Sequence, residues 1–188
     1  MRKVVALCHI SIDAIAAIPS GKLDWVAYDE ELEKWAAGIV ANTDTALYGR
    51  NTFEIMKYWK TIPDNPEASE HERNHAEWIE KVEKVVISTT MTDPDWANAR
   101  IVKDNIEEEI AKLKDRPGKN ITIFGSPTLT TSLIKMGLVD EYQLSVSPVV
   151  LSSGKYLFKD LEKELDLKLL SEQTLKSGAL TLHYTTQS

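Results

Sequence analysis

Thr45-Ala46-Leu47-Tyr48-Gly49-Arg50-Asn51-Thr52 and Ile121-Thr122-Ile123-Phe124-Gly125-Ser126-Pro127 are built to one plan. Each is a short apolar or β-branched run that stops at a glycine and passes directly into a helix-like stretch. A third run, Val85-Val86-Ile87, ends in Ser88-Thr89-Thr90. In an open α/β sheet the carboxyl ends of parallel strands share one edge, and ligands bind there. A helix start offers free N–H groups and a partial positive charge, which suits phosphate. Glycine lets the backbone approach it, and an arginine or hydroxyl adds donors. Two helix starts and one hydroxyl cluster therefore predict a dinucleotide crevice. Taken singly each motif has a plainer reading, Ser126-Pro127 as an N-cap and first-turn pair and Gly49 as a tight turn.

Working outward, Lys3 to Ile10 reads as a buried strand, followed by a loop through Pro19-Ser20-Gly21 to Trp25. Asp29-Glu30-Glu31 opens a helix whose Leu32, Trp35, Ala36, Ile39 and Val40 form one apolar stripe. A short helix spans Asn51 to Tyr58, a loop Lys60 to Ala68, and a polar helix Ser69 to Glu80. Lys84 to Ile87 is a strand, Arg100 to Lys103 a weaker one, and Ile106 to Lys114 a helix. Asn120 to Phe124 is the next strand, and the helix that Ser126-Pro127 starts ends at Gly137. Glu141 to Ser147 is a strand, Pro148 to Tyr156 a long loop. Leu165 to Glu172 and Leu180 to Thr185 close the chain as an antiparallel hairpin. The expected architecture is a single α/β domain over residues 1–188, with a mixed, mostly parallel sheet and antiparallel C-terminal strands.

Composition narrows the function classes. The 188 residues carry 22 Lys plus Arg against 29 Asp plus Glu, a formal net charge of -7. That balance speaks against broad nucleic-acid binding, which needs a basic face, and leaves room for one phosphate-bearing ligand. Apolar content of 43% and charged content of 27% exclude disorder, collagen and coiled coil. The lone Cys8 closes no internal disulfide, and no cysteine cluster exists for zinc. His9 and Asp13 interrupt the first apolar stretch, which speaks against a signal peptide, and no run reaches the roughly 18 apolar residues of a membrane span. The expectation is a reduced, soluble, cytoplasmic protein with no membrane partner.

His71-Glu72-Arg73-Asn74-His75 fits H-E-x-x-H, the helical zinc-hydrolase pattern. Arg73 and Asn74 make its helix polar, and nothing marks a third ligand, so a solvated face is expected and no metal. His9 reads as a core or cleft residue and His183 as a strand-surface one. Trp59, Trp78 and Trp96 read as packing or loop-anchoring groups. Neither G-x-G-x-x-G nor G-x-S-x-G is present.

The ordered set of segments resembles the dihydrofolate reductase-like fold. Within it, the chain is most similar to the C-terminal reductase domain of the bifunctional riboflavin-biosynthesis deaminase-reductase (RibD) and its stand-alone relatives. The segments are Ser11-Ile12-Asp13, Leu47 through Glu54, Val85 through Ser88, Ile123 through Leu129, Gly137 through Glu141, and Pro148-Val149-Val150-Leu151 through Gly154 to Phe158. The resemblance implies a three-layer fold and an NADPH-dependent reductase acting on a small heterocycle, pterin- or ribosylaminopyrimidine-like. Gly49, Arg50 and Thr52 match its phosphate-contacting Gly-Arg-x-Thr. Ser88 and Thr89 match the loop at the 2′-phosphate, and Gly125 and Ser126 the turn at the pyrophosphate. Asp13 matches the acid lining the substrate side, where a proton reaches the acceptor by way of Asp13, a neighbouring hydroxyl or water. The resemblance also implies a homodimer. Ala14, Phe124 and Ser152 depart from the family pattern, which has glycine, an acid and glycine at those places. The helix carboxylate of folate reduction has no aligned match, although Glu30, Glu31 and Glu33 lie nearby. A non-catalytic NADPH-binding dimer and a zinc hydrolase using His71, Glu72 and His75 are the competing readings.

Overall fold

In the computed structural model, which describes residues 1–187, the sheet is organised around its first strand. β1 (Val4–Ser11) pairs in parallel with β6 (Asn120–Phe124) on one side and β7 (Glu141–Ser147) on the other. Beyond β6 follow β3 (Thr43–Gly49), β4 (Glu83–Ile87) and β5 (Ala99–Val102), all parallel. Beyond β7 come β10 (Leu180–Thr186) and β9 (Leu167–Thr174), each antiparallel to its inner neighbour. The eight-stranded order is β5-β4-β3-β6-β1-β7-β10-β9.

Period-two alternation sends the strands' apolar side chains into two cores. Val4, Ala6, Cys8, Leu47, Val85, Ile121 and Ile123 enter one, with α4 (Ile106–Asp115) and α5 (Pro127–Lys135) over them. Leu7, Tyr48, Val86 and Phe124 enter the other, beneath α1 (Glu30–Ala41), α2 (Arg50–Met56) and α3 (Glu70–Lys81). Helices thus cover both faces, giving three layers.

Local signals set the helix ends. The Asp29 carboxylate accepts from the Leu32 N–H at 2.8 Å and, with its other oxygen, from Ser177 N–H, tying α1 to the β9–β10 turn. Ser69 and Glu72 form a reciprocal capping box at α3. Gly137, at φ 69°, ends α5 with the Leu138-to-Leu133 and Gly137-to-Ile134 bonds of a Schellman turn.

Three expectations need correction. The helix from Asn51 is regular only to Met56, and Lys57–Asp64 tightens into a 3-10 stretch that reaches into the expected loop and carries Pro63. The long loop after β7 holds a two-residue strand, β8 (Lys155–Tyr156), paired with an unexpected β2 (Ile15–Ala17). The first strand of the hairpin starts at Leu167 rather than Leu165 and runs to Thr174.

Candidate functional site

The parallel strands deliver their carboxyl ends to one edge. Gly49 lies opposite Ile87, and Ile87 opposite Val102. Leu7 lies opposite Phe124, and Ser11 opposite Ser147. Gly49, Ser88, Gly125 and Asp13, each at or just past a strand end, are therefore brought to the same rim.

The Gly49 and Gly125-Ser126 turns are physically joined. Gly49 N–H donates to Ser126 Oγ at 3.1 Å. Gly125 and Ser126 are successive left-handed residues, at φ 54° and 48°, so the chain coils back over the end of β6 before entering α5. Gly125 N–H donates to Leu7 O at 2.8 Å, and Thr130 Oγ1 donates to Gly125 O at 3.0 Å. Ser126 therefore departs from the plain capping reading: its hydroxyl makes no bond to its own helix and holds the Gly49 turn instead. Nothing lies within 4 Å of where a Gly125 Cβ would be, so the space over the turn is open.

Arg50 begins α2 with its guanidinium exposed and, among the described residues, without a carboxylate partner. It donates to Thr90 Oγ1 at 2.8 Å. The buried Ser88 hydroxyl accepts from the N–H groups of Met91 and Thr90, closing the turn that presents the exposed Thr89 and Thr90. Thr90 is the member of this set that the sequence reading left out of its site residues; its place beside Ser88-Thr89 was the available signal. Thr52 sits half-buried in the first turns of α2.

Asp13 stands at the other end of the rim. Its carboxylate accepts from Ser11 Oγ at 2.6 Å, Leu151 N–H at 3.1 Å and Ser152 N–H at 3.0 Å. The Ser11 hydroxyl first, and then the two amides, hold its carboxyl below the usual range, so it is ionised at neutral pH. The acid ties the loop after β1 to the loop after β7. Ala14 and Ser152, where the resemblance leads one to expect glycine, both adopt a left-handed backbone at φ 59°, a conformation that glycine takes most readily. Gly154 has no such freedom, because a Cβ there would lie 2.4 Å from Ala17 O.

The H-E-x-x-H residues do other work. Glu72 closes the capping box, and the His75 ring lies 4.1 Å from Trp59 and 5.3 Å from Trp78, centroid to centroid. Burial pushes the His75 imidazole down to about 4. Among the described residues no group of three His, Cys, Asp or Glu side chains could hold a metal. His9, in the cleft-side core, bonds Ser145 Oγ at 3.0 Å, and burial likewise pushes it down to about 4. His183 bonds Glu141.

Chemically, the rim pairs an anion-favouring end with a restrained acid end. Arg50, the exposed threonines and the α5 start present donors. The Gly125 turn leaves the backbone uncovered, which fits the diphosphate and 2′-phosphate of a dinucleotide.

Known proteins share this fold. The chain is 34% identical to an uncharacterised protein, YyaP, of Bacillus subtilis (strain 168), over 97% of its own length and 94% of the relative's. It superposes with a TM-score of 0.78 on a putative riboflavin biosynthesis protein from Shewanella sp. PV-4, at 21% identity and 99% of both chains. A Thermotoga maritima diaminohydroxyphosphoribosylaminopyrimidine deaminase/5-amino-6-(5-phosphoribosylamino)uracil reductase gives 0.69 at 10% identity, this chain covering 57% of its length. The sequence model of the RibD C-terminal domain matches residues 2–181, and the chain belongs to that family.

Proposed function

We propose that the protein is an NADPH-dependent reductase that delivers a hydride to a C=N or C=O bond of a small heterocycle. Family membership supports reductase chemistry, and the observation that carries the cofactor reading is the joined rim: Gly49 bonded to Ser126 beside Arg50, which has no carboxylate partner among the described residues. When bound, NADPH supplies the hydride. The chain's own residues bind and orient it. The Gly125-Ser126 turn and the α5 start would hold the diphosphate, and Gly49 and Thr52 the turn beside it. Arg50, with Ser88, Thr89 and Thr90, would take the 2′-phosphate, since a guanidinium can meet a phosphate with two parallel bonds.

Asp13 would stand at the acceptor end as an ionised carboxylate. It keeps the 151–152 backbone in place and holds the Ser11 Oγ proton in a bond. The proton the product needs then enters from water or a neighbouring hydroxyl. Holding the acceptor against the cofactor is the larger catalytic contribution of such a site.

The remaining parts of the reading are a cytoplasmic location, a small-molecule partner and a homodimer. No helix among the described residues is long and apolar enough to cross a membrane. Leu169 and Leu170 on β9 and Leu180 on β10 are 43%, 46% and 41% exposed, apolar surface of the kind that a second copy would cover.

Titration with NADPH and then NADH, followed by quenching of tryptophan fluorescence, tests the cofactor reading. Loss of one charge-assisted contact at Arg50 costs about 1.5–3 kcal/mol, so NADPH should bind at least roughly tenfold more tightly. Near-equal affinities refute the assignment to Arg50, and binding of neither refutes the reductase reading.

A further inference from the structure

One face of α5 and the segment around β8 enclose a hollow of about 360 Å³. Thr128, Thr131, Ser132 and Lys135 recur at helical spacing along that face, while Leu129, Leu133 and Ile134 of the same helix enter the core. Lys155, Tyr156 and Lys159 stand on the other wall. None of the residues assigned to the cofactor, and not Asp13, lines the hollow.

Both walls are anchored. Thr131 Oγ1 donates to Leu157 O at 2.8 Å, which ties the helix to the segment after β8. Leu157 is fully buried and its N–H donates to Ala14 O at 2.9 Å. β8 itself pairs with β2.

The charge of the hollow runs against that of the chain, whose formal net charge is -7. Lys135, Lys155 and Lys159 are all exposed, and among the described residues none has a carboxylate partner. α5 contains no acidic residue, and Asp160 is the one carboxylate in the lining. Three cations against one anion leave an excess of two positive charges, close to the charge of about -1.5 to -2 on a phosphate monoester at neutral pH. Thr131 and Ser132 spend their hydroxyl protons on Leu157 O and Thr128 O, so the lysines are the main donors left to an anion. Tyr156, 38% exposed, adds a ring face. The volume sits at the small end of the roughly 300–1,000 Å³ of small-molecule sites.

We propose that this hollow binds a phosphate monoester of sugar or nucleoside size, its phosphate held by Lys135, Lys155 and Lys159 and its organic part laid against Tyr156. The site is additional to the cofactor rim and stands whether or not the rim takes NADPH.

The test is calorimetric titration of the full chain with ribose 5-phosphate, AMP, ribose and inorganic phosphate, in low-salt buffer without phosphate. At least one ester should bind saturably, at least tenfold more tightly than ribose and at least fivefold more tightly than inorganic phosphate. Its affinity should fall as salt is raised. The triple variant Lys135→Gln, Lys155→Gln, Lys159→Gln should bind it at least tenfold more weakly, because charge-assisted contacts are lost. A control triple, Lys34→Gln, Lys112→Gln, Lys168→Gln, makes the same change of net charge at exposed lysines elsewhere. That control, the rim variant Arg50→Gln, and the parent saturated with NADP⁺ should all keep the ester affinity within threefold. All the substituted lysines are exposed, and a thermal melt checks that each variant is folded. No binding of either ester, equally tight binding of inorganic phosphate, an unchanged affinity in the first triple variant, or an equal loss in the control triple overturns the proposal. Displacement of the ester by NADP⁺, or its loss in Arg50→Gln alone, also overturns it by placing the phosphate on the rim.

Discussion

Acid should weaken this protein well before its carboxylates titrate, and His75 should account for about half of the early loss. The His75 imidazole is packed between Trp59 and Trp78, and burial lowers it from 6.5 to about 4. Its folded value lies below its unfolded one, so the unfolded chain takes up the proton first and stability falls as pH drops through 6.5 towards 4. Over the interval from 6.5 to 5 the loss is about 1.36 kcal/mol per pH unit, or about 2 kcal/mol at pH 5. His9 behaves alike and contributes a similar amount. The carboxylates whose folded values are lowered, among them Asp13, Asp29, Glu72, Glu83 and Glu141, act with the same sign but in a lower pH window. Their stabilisation is present above the unfolded carboxylate range and is lost only below about pH 5. Urea unfolding at pH 7.5 and 5.0 should show a fall of about 4 kcal/mol in the parent and about 2 kcal/mol in His75→Phe, a ring of similar shape with nothing to protonate. Because each protein is compared with itself, any packing change from the phenylalanine ring cancels. An equal acid loss in the two proteins would refute the reasoning.

The loops at the acceptor end give two more expectations. Gly154→Ala forces a Cβ to within 2.4 Å of Ala17 O and 2.5 Å of Ile15 Cγ2 at a φ of 156°, so it should cost about 2 kcal/mol or more and lower Tm by about 4–8 °C. A thermal melt within 1 °C of the parent would show that the β2–β8 corner gives way freely. Asp13→Asn leaves a single acceptor oxygen for Ser11, Leu151 and Ser152, with an amide NH₂ facing backbone N–H. Turnover should fall about tenfold while the NADPH Kd stays within about twofold. Equal loss of both would remove Asp13 from the acceptor end.

Much of this architecture could be read from the chain because its signals are local. The β-branched runs ending at Gly49 and Gly125 announced both the strands and their shared edge. The polar helix expected from Ser69 begins where the Ser69–Glu72 capping box sets it. What escaped was set by partners distant in sequence. β2 and β8 are three and two residues long and exist only by pairing with each other across more than a hundred residues. The Thr90 bond to Arg50 spans 40 positions, and the Gly49–Ser126 bond spans 77. H-E-x-x-H shows the converse. Its spacing correctly puts His71 and His75 on one side of a helix, but neighbouring tryptophans and a capping serine had already claimed His75 and Glu72.

The central place of β1 has a consequence for synthesis. Val5 is synthesised before its partners, Thr122 and Glu141, which come 117 and 136 residues later. At about 5–20 residues per second, this apolar strand waits roughly 6–30 s with both edges unpaired. An exposed strand of this kind is a template for aggregation. Slow translation or a rare-codon pause between residues 11 and 120 should therefore reduce soluble yield far more than the same pause placed after β7.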